Sequence, residues 1–568
     1  MKLADYNYYL SIVPTDKLPD IYYTKDWDYN NENIDIKKLP EAAKMLLKHI
    51  DKESHIAIVS DSDCDGLTSA ATTYRILRYV FKHPENKISV IINKRKNGNS
   101  FNPTLVSRVK DLHKHKPIDL MYSCDQGSLN GPEYKDFART CAFDMIITDH
   151  HQVRDGFLYP KAPGLVFINP NDLDNKELES ESKGLSGCIV TLFTLMETYV
   201  LKSDKDKKDV DYTIFYPYFD LPALSVISDV MPCDNKINRW VYKIGTNVFN
   251  KKDNIVGQAI KHALGIPGKI ELSDIKMKIT PLINSANRMD IEDMGYSLLV
   301  SNTFDSALRE AKALIEYNKT KKNIIRELTK DLVKGLESID CSDGVIVTIK
   351  DTAAVNGIIA GKIGSIKGVP TVCFIEKEGT LSGSCRAIVP GFDLIELFTR
   401  ISKQDPNVLS NFGGHKDACG IHVKSDYLEV FQGLFFQNVH DMLQDLPKDQ
   451  KICIDKLIKE EDFDIDLLSK QNALVPYGKN FKEPVYLSIL YIKQVISFGD
   501  IAKVVFKRKN GGTIYGFYNF GMSDEITIHN IKNVLQNDVK CLVSFSADLG
   551  SYANAYDINL NIIKIDIL

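Results

Sequence analysis

The apolar positions in the first third of the chain fall into short runs separated by stretches with helical spacing. The runs are rich in β-branched residues and predict buried strands at residues 56–59, 88–93, 120–124, 145–148 and 166–168. Helical spacing covers residues 40–50 and 68–80. Strands that alternate with helices predict a parallel sheet, and right-handed crossovers would put the carboxyl ends of its strands along one edge.

Three further patterns follow this region. Residues 303–336 contain no proline and only one glycine, which predicts a helix about 50 Å long; two shorter helices with a break near Asn318 are the alternative. Strand–helix alternation resumes over residues 344–443, and after residue 484 five alternating runs predict a small barrel, at 485–492, 502–507, 513–518, 539–546 and 558–563. We therefore expect an α/β protein with two α/β lobes joined by a long helix, plus a C-terminal OB-like β-barrel.

Composition and charge narrow the class of protein. With 568 residues, of which 44% are hydrophobic and 26% charged, the chain has the makeup of a soluble globular protein with several domains. No apolar run approaches the ~20 residues of a membrane span, and the N-terminus lacks a secretory pattern, so we expect no membrane association and a cytoplasmic location. The eleven cysteines include no CxxC pair, which argues against a zinc ribbon. The net charge of −4 argues against a generally basic nucleic-acid binder but leaves room for a local basic channel.

The first predicted strand runs into a cluster of carboxylates. Asp61, Asp63 and Asp65 occupy alternate positions after the apolar run, and Gly66 follows them. Three acids this close in sequence repel one another unless a cation neutralises their charge, so they indicate a divalent metal site. A solvated acidic turn is the alternative, and it would be the better interpretation of the motif on its own.

Two further predicted strands end in side chains that bind metals. Asp125 follows the 120–124 run, and Asp149, His150 and His151 follow the 145–148 run. A single aspartate after a strand is usually a helix cap, and a histidine pair is usually a surface feature. Three strand ends of this kind on one sheet edge instead favour a shared site for divalent metals, which accept carboxylate and imidazole ligands.

The order of these motifs resembles the DHH phosphoesterase superfamily. Asp-x-Asp-x-Asp-Gly-x-Thr-Ser-Ala at 61–70, the aspartate at 125 and Asp-His-His at 149–151 carry this resemblance. A fourth motif at 223–232, which contains Asp229 and precedes Asn238 and Arg239, is similar to that of the RecJ family of single-strand-specific 5′→3′ DNA exonucleases. Segments 281–289, 381–386 and 476–484 also resemble RecJ, and 413–420 matches the GGHxxAxG motif of the DHH-associated domain. Some RecJ proteins carry a histidine where this chain has Val59.

The resemblance assigns a domain to each part of the chain. It implies an N-terminal extension at 1–40, a DHH phosphoesterase domain at 41–300, a connecting helix at 301–340, a smaller DHH-associated domain at 341–448 and an OB-like nucleic-acid-binding domain at 449–568. We expect the protein to be a monomer.

The resemblance also implies a mechanism, which is hydrolysis of phosphodiester bonds by water activated at two divalent ions, with Mn²⁺ preferred and Mg²⁺ as the alternative. The implied metal ligands are Asp61, Asp63, Asp65, Asp125, His150 and Asp229. Asp125 would bridge the ions, and Asp149 would orient the imidazoles without binding metal. The residues implied to act on the scissile phosphate, besides Asp125 and His150, are His151, Arg386 and His415.

The implied substrate is single-stranded DNA, which a single-strand-binding protein or a helicase could deliver. Basic and glycine-rich positions are the candidate contacts: Lys94, Arg95, Lys96, Arg288, Arg386, Gly413, Gly414, His415, Lys507, Arg508 and Lys509. The lysine-rich turn at 507–509 has an alternative interpretation as a solvated edge.

Two other functions remain open from the sequence. One is a DHH phosphodiesterase for short oligonucleotides or cyclic dinucleotides, and the residues at 449–568 argue against it because such enzymes typically lack a C-terminal barrel. The other is a non-catalytic scaffold like the RecJ-related subunit of the eukaryotic replicative helicase. The intact acids and histidines of the motifs favour an enzyme over a scaffold.

Overall fold

A computed structural model describes fourteen segments of the chain: 8–10, 36–94, 101–128, 131–153, 161–172, 180–286, 291–350, 355–377, 379–446, 452–498, 501–509, 511–519, 539–549 and 558–568. The chain divides into two compact units, and neither unit is continuous in sequence. What we call the first unit contains residues 15–319 and 473–482. The second unit contains residues 1–14, 320–472 and 483–568.

A five-stranded parallel sheet forms the centre of the first unit. Its strands, in spatial order, are Ile88–Ile92, Ile56–Ser60, Leu120–Cys124, Asp144–Thr148 and Leu165–Ile168. Ser60 pairs with both Ile92 and Cys124, and Cys124 pairs with Thr148, so the carboxyl ends of these strands lie in line. Neighbouring residues of strand Ile56–Ser60 belong to two different hydrophobic cores, Ile58 to one and Val59 to the other. The strands read as continuous apolar runs because both faces of the sheet are covered.

Helices of the first unit pack on both faces of this sheet and extend beyond it. The α-helices are Leu39–Asp51, Cys64–Tyr79, Pro103–His115, Gly131–Thr140, Ser180–Lys183, Gly187–Ser203, Asp220–Ser228, Lys236–Phe249, Ile255–Leu264, Leu272–Asp274, Thr280–Ala286 and Glu292–Val300. Short 3₁₀ segments lie at Glu85–Lys87, Lys207–Asp209 and Tyr212–Tyr218, and a π-helical turn at Ile275–Ile279. The second of the α-helices begins earlier than its apolar spacing predicts, because Asp63 caps it by accepting the N–H of Gly66. Among the described residues, no helix combines the length and apolarity needed to span a bilayer.

The predicted connector is one continuous helix, Phe304–Gly335. Its 32 residues correspond to a length of about 48 Å, and no break occurs at Asn318. Thr303 caps the helix, since its Oγ1 accepts the N–H of Ser306 at 3.3 Å. The prediction of a single long helix is therefore confirmed.

A smaller α/β domain lies in the second unit. Its strands, in spatial order, are Asn411–His415, Ala418–Lys424, Thr380–Arg386, Thr371–Lys377 and Val345–Ile349. The last two strands pair in parallel, whereas the others are antiparallel. The accompanying helices are Asn356–Lys367, Leu394–Gln404 and Leu428–Asp445, with a 3₁₀ turn at Ser425–Tyr427.

The C-terminal strands close into the predicted barrel. Five strands form it: Tyr486–Phe498, Ile501–Lys507, Thr513–Asn519, Val539–Leu549 and Ile558–Ile567. The first pairs with both the second and the fourth, which completes the ring in the order expected of an OB-like barrel. Short flanking elements are Lys456–Leu457, the 3₁₀ turn Glu460–Asp462 and the helix Ile465–Asn472. Near the N-terminus, strand Tyr8–Leu10 pairs in parallel with Ile452–Ile454.

Candidate metal centre

The aligned strand ends of the first unit bring one imidazole against three carboxylates. Nε2 of His150 lies 3.2 Å from Oδ1 of Asp125, 3.4 Å from Oδ2 of Asp229 and 3.5 Å from Oδ2 of Asp65. Asp229 comes from the C-terminal end of helix Asp220–Ser228, whereas the other acids follow strands or begin a helix. Side chains from four separate parts of the sequence therefore meet at one point.

A second cluster of ligand atoms shares Asp125. One carboxylate oxygen each from Asp61, Asp63 and Asp125 lies within 4.8 Å of the others. Asp65, His150 and Asp229 form a group with the same spacing. The arrangement thus offers two neighbouring sets of oxygen and nitrogen ligands, of the kind that divalent cations accept.

Gly66 allows the acidic loop to fold tightly at the end of the first strand. A Cβ atom at this position would lie only 2.4 Å from the carbonyl oxygen of Asp61. Asp63 begins the next helix as its N-cap, and Val59, just before the loop, is completely buried in the core. The three acids therefore lie where the chain passes from the end of a strand into the start of a helix. Val59, at the position where some RecJ proteins carry a histidine, supplies no ligand.

Backbone N–H groups at the start of another helix bind the carboxylate of Asp65, a contact that the sequence patterns did not predict. Oδ2 of Asp65 accepts the N–H of Gly187 at 2.8 Å and its Oδ1 accepts the N–H of Cys188 at 3.0 Å. These amides are the free donors at the N-terminus of helix Gly187–Ser203, where a negative charge is stabilised. A Cβ atom on Gly187 would lie 2.5 Å from Oδ1 of Asp125, so only glycine fits between these two carboxylates. Ser186 caps this helix by accepting the N–H of Ile189, and a serine at that place is a local signal of a helix start. No local signal shows that this helix start meets Asp65.

Burial leaves two ligand atoms of the centre unsatisfied. Among the described residues, Oδ1 of Asp125 and Nε2 of His150 lie 3.2 Å apart but form no hydrogen bond with each other or with any other group, and both side chains are more than nine-tenths buried. Asp125 has a left-handed backbone with φ of 56°, which is costly for a residue other than glycine. An unpaired buried polar atom is rare, and these two suit a divalent cation.

The pKa values of three carboxylates of the centre, those of Asp65, Asp125 and Asp229, are raised from their ordinary range. Burial raises the pKa of Asp125 well above 3.8, and the charges of Asp65 and Asp63 raise it further. Burial likewise raises the pKa of Asp65, and that of Asp229 to about 7. Burial lowers the pKa of His150, but the surrounding carboxylates outweigh it and raise the value overall. Electrostatically, the cluster favours bound protons or bound cations.

Asp149 contacts the centre through hydrogen bonds. Its Oδ1 accepts from Nδ1 of His151 at 2.7 Å and from the N–H of His150 at 2.7 Å, and its Oδ2 accepts the N–H of Ser128 at 2.7 Å. The charge of Asp149 raises the pKa of His151 to about 10. Asp149 was expected to orient both imidazoles. It binds the ring of His151 directly, whereas it contacts His150 through the backbone N–H.

Two asparagines that the sequence analysis missed fix the histidine loop. Nδ2 of Asn169 donates to the carbonyl oxygen of His151 at 2.9 Å, and Nδ2 of Asn171 donates to that of His150. Both asparagines follow the last strand of the sheet, Leu165–Ile168. Only the paired register of the two neighbouring strands brings them to the histidines, so no local motif marks them.

In the second unit, Arg386 and His415 lie on strands of one sheet at the same level. Arg386 pairs with Ala418, which in turn pairs with His415. Gly413, Gly414 and His415 are exposed, and Gly414 has φ of 144°, which favours glycine. The second unit therefore gathers these four predicted residues at one end of its sheet.

The other predicted nucleic-acid contacts differ in their surroundings. Lys94 follows the first edge strand, whereas Arg95, Lys96 and Arg288 lie outside the described residues. Lys507 is exposed in the barrel. Nη2 of Arg508 donates to the carbonyl oxygen of Phe463 at 2.9 Å, and Nζ of Lys509 lies 2.9 Å from Oε2 of Glu461. Arg508 and Lys509 of the basic turn therefore contact the segment that flanks the barrel on its N-terminal side.

Comparison with known proteins agrees with this architecture. Residues 55–216 match the N-terminal domain of the DHH family, and residues 343–441 match the DHHA1 domain. A curated relative, the single-stranded-DNA-specific exonuclease RecJ of Haemophilus influenzae, is 24% identical over 511 residues, which is 86% of this chain and 84% of the relative.

Solved structures show the same fold. The crystal structure of RecJ in complex with Mn²⁺ from Thermus thermophilus aligns with a TM-score of 0.71 and 19% identity, over 94% of this chain and 72% of that one. The Mg²⁺ complex of RecJ from the same organism aligns with a TM-score of 0.67 and 17% identity, over 96% and 73% of the two chains. The chain therefore contains a DHH-family N-terminal domain, a DHHA1 domain and a C-terminal barrel, and it is similar in sequence and in fold to RecJ exonucleases.

Proposed function

We propose that this protein is a metal-dependent exonuclease that degrades single-stranded DNA from the 5′ end and releases 5′-mononucleotides. The observation that carries the proposal is that Oδ1 of Asp125 and Nε2 of His150 lie 3.2 Å apart among the buried acids and form no hydrogen bond. The named activity of the curated relatives supports the substrate and the reaction. The direction of degradation rests on the resemblance to RecJ.

The donor set of the centre fits two divalent ions, with Mn²⁺ preferred and Mg²⁺ as the alternative. The residues that would hold them are Asp61, Asp63, Asp65, Asp125, His150 and Asp229. Asp125 lies close both to the Asp61–Asp63 pair and to His150. When bound, such ions lower the pKa of water and neutralise charge on the phosphate that is attacked. Both oxygens of Asp65 already accept backbone N–H groups, but a carboxylate oxygen has a second lone pair with which to bind a metal.

His151 is suited to bind the substrate phosphate. Its Nδ1 donates to Asp149, which leaves the Nε2 N–H to be donated to a phosphate oxygen. Because the charge of Asp149 raises the pKa of His151 to about 10, the imidazole carries a positive charge at neutral pH. The side chain is 53% exposed, so a phosphate can reach it. Arg386 and His415 are proposed to bind phosphate as well, as the sequence predicts.

A second surface of the barrel, away from the basic turn, carries aromatic rings on which bases could stack. Tyr515 and Phe517 lie two residues apart on one strand, and Phe517 is 41% exposed. Lys503 is the cross-strand partner of Phe517, and its Nζ lies 4.1 Å from the ring centroid of Tyr515. Aromatic rings beside a cation are typical of surfaces that bind single strands without sequence preference. We propose that this face binds single-stranded DNA together with Lys507.

The proposal is tested by incubating a long single strand, labelled at either end, and a dinucleotide with the protein in the presence and absence of Mn²⁺. We expect Mn²⁺-dependent release of mononucleotides from the 5′ end and loss of this activity in Asp125→Ala with the fold retained. Asp253→Ala, an exposed acid in the same unit, is the matched control and should behave as the wild type. Full activity of Asp125→Ala would overturn the assignment, and cleavage of the dinucleotide alone would favour a short-oligonucleotide phosphodiesterase.

Further aspects follow from the same proposal. A role in DNA repair, recombination or replication suits an enzyme that removes single strands. We propose a cytoplasmic monomer that receives its substrate from a single-strand-binding protein or a helicase. Sedimentation of the purified protein tests the monomeric state.

A further inference from the structure

We infer that residues 473–482, the anchor segment, hold the loop that presents Asp229 to the metal centre, and that Arg239 is the positioning residue that joins the two. The anchor segment follows the second α/β domain in sequence but belongs to the first unit. The loop, residues 229–235, connects helix Asp220–Ser228 to helix Lys236–Phe249. The inference rests on the proposed function, because it concerns the affinity of the centre for its metal.

The guanidinium of Arg239 binds carbonyl groups of both segments. Its Nη1 donates to the carbonyl oxygen of Cys233 at 2.9 Å and to that of Pro476 at 3.2 Å, and its Nη2 donates to that of Leu474 at 2.6 Å. The ring of Phe481 lies 5.0 Å from Cζ of Arg239, and the arginine is completely buried. A buried charge needs all its partners, because an unpaired one is costly. Arg239 therefore requires the loop and the anchor segment to be in place together.

Further contacts fix the anchor segment against the loop without Arg239. The N–H of Cys233 donates to the carbonyl oxygen of Lys479 at 2.8 Å. A Cβ atom on Gly478 would lie 2.8 Å from Sγ of Cys233, so the backbone of the segment is packed directly on the loop. At the other side of the segment, Nζ of Lys276 donates to the carbonyl oxygen of Tyr477 at 2.6 Å.

The loop needs such support because its backbone is strained beside Asp229. Val230 has φ of 53°, a left-handed conformation that a β-branched residue rarely adopts. On one side Nδ2 of Asn238 donates to the carbonyl oxygens of Pro232 and Gly184, at 3.0 and 2.7 Å. On the other side the support comes from Arg239 and the anchor segment.

A positioning role of Arg239 and a purely structural role predict different effects of removing its side chain. If Arg239 only stabilised the fold, its loss would lower the melting temperature and leave the metal affinity of the remaining folded protein unchanged. If it positions the loop, the carboxylate of Asp229 loses its place 3.4 Å from Nε2 of His150, and the affinity for Mn²⁺ falls. Residues that orient metal ligands typically contribute about 10–100-fold to metal affinity.

The experiment compares full-length wild type, Arg239→Met and Arg239→Lys with Ile260→Ala. Ile260 is a completely buried core residue on helix Ile255–Leu264, so its truncation destabilises the same unit without touching the loop. Mn²⁺ dissociation constants come from the electron paramagnetic resonance signal of free Mn²⁺. Amide hydrogen exchange of the loop and the anchor segment is measured in metal-free protein.

We expect Arg239→Met to raise the Mn²⁺ dissociation constant at least about 10-fold and to speed exchange in both segments. Arg239→Lys, which keeps the charge and some donors, should lie between it and the wild type. Ile260→Ala should lower the melting temperature alone. A wild-type dissociation constant in Arg239→Met, or an equal rise in Ile260→Ala, would overturn the inference.

Two further outcomes are covered: a variant that does not fold and a wild type that binds no Mn²⁺. If Arg239→Met does not fold, Gly478→Ala decides. Its added methyl group would lie 2.8 Å from Sγ of Cys233, so the contact between the loop and the anchor segment must shift while Arg239 is unchanged. An unchanged Mn²⁺ dissociation constant would then overturn the inference. If the wild type binds no Mn²⁺, the proposed function fails. The exchange rates in metal-free protein then still decide whether the anchor segment holds the loop.

Discussion

Replacing Gly187 by alanine is the sharpest test of the geometry of the centre. The added Cβ would lie 2.5 Å from Oδ1, 2.7 Å from Cβ and 2.8 Å from Cγ of Asp125. Ordinary contact begins at 3.4 Å, so the carboxylate or the helix start must move by about 0.9 Å. The same helix start donates to both oxygens of Asp65, so a shift of either element changes the spacing of two proposed ligands.

A displacement of about 1 Å in a catalytic group costs roughly 100-fold in rate, which corresponds to about 2.7 kcal/mol of barrier. We therefore expect Gly187→Ala to lower kcat for single-stranded DNA by about two orders of magnitude at saturating Mn²⁺. Hydrolysis of a labelled single strand measures this effect. Circular dichroism and the melting temperature establish that the variant is folded under the conditions of the assay.

The matched control is Gly433→Ala. Gly433 lies within helix Leu428–Asp445, and a Cβ at that position would meet nothing within 4 Å. Alanine should leave the activity unchanged and stabilise the helix by up to about 1 kcal/mol. Wild-type activity of Gly187→Ala would refute the close approach of Gly187 to Asp125, and equal losses in both variants would show that the effect is not specific to the centre.

Two other predictions concern the barrel and the metal-free centre. Phe517→Ala should weaken binding of a single strand measured by fluorescence anisotropy, by about 1–3 kcal/mol if one base stacks on this ring, with little change in hydrolysis of a dinucleotide; unchanged affinity would exclude Phe517 from the binding surface. For the metal-free protein, burial raises the pKa of Asp229 from 3.8 to about 7, so the folded state binds a proton more tightly than the unfolded state, and stability should fall as the pH rises from about 4 to 7. Melting temperatures measured in a chelator should fall less steeply over this window in Asp229→Asn, and parallel slopes would contradict the assignment.

Much of the centre was readable from the sequence because its residues follow strands. Asp61 and Asp125 come directly after strands and His150 comes two positions after one, and parallel strands carry such residues to one edge. The long connector was readable for a similar reason, since an uninterrupted helical pattern without proline needs no tertiary information. Local periodicity and strand direction therefore account for these predictions.

The remaining features depend on contacts between distant parts of the chain. The amide of Gly187 meets Asp65 across 122 positions, and neither residue shows this in its local pattern. The basic turn was read as a nucleic-acid contact from its lysines, but the acid that pairs with Lys509 lies 48 positions earlier. Pairings of this kind are set by packing, and a single sequence does not display packing.

The discontinuity of the first unit has a consequence for how the protein is made. Arg239 needs the carbonyl groups of Leu474 and Pro476, which are synthesised 235 and 237 residues later. At about 5–20 residues per second, the ribosome takes roughly 10–50 s to supply them. During that interval the nascent first unit holds a guanidinium with one of its three carbonyl partners, that of Cys233. Although most of the first unit is translated before residue 320, the unit is completed only when residues 473–482 have been added. Its metal loop would therefore reach its final form only after the second α/β domain has been translated.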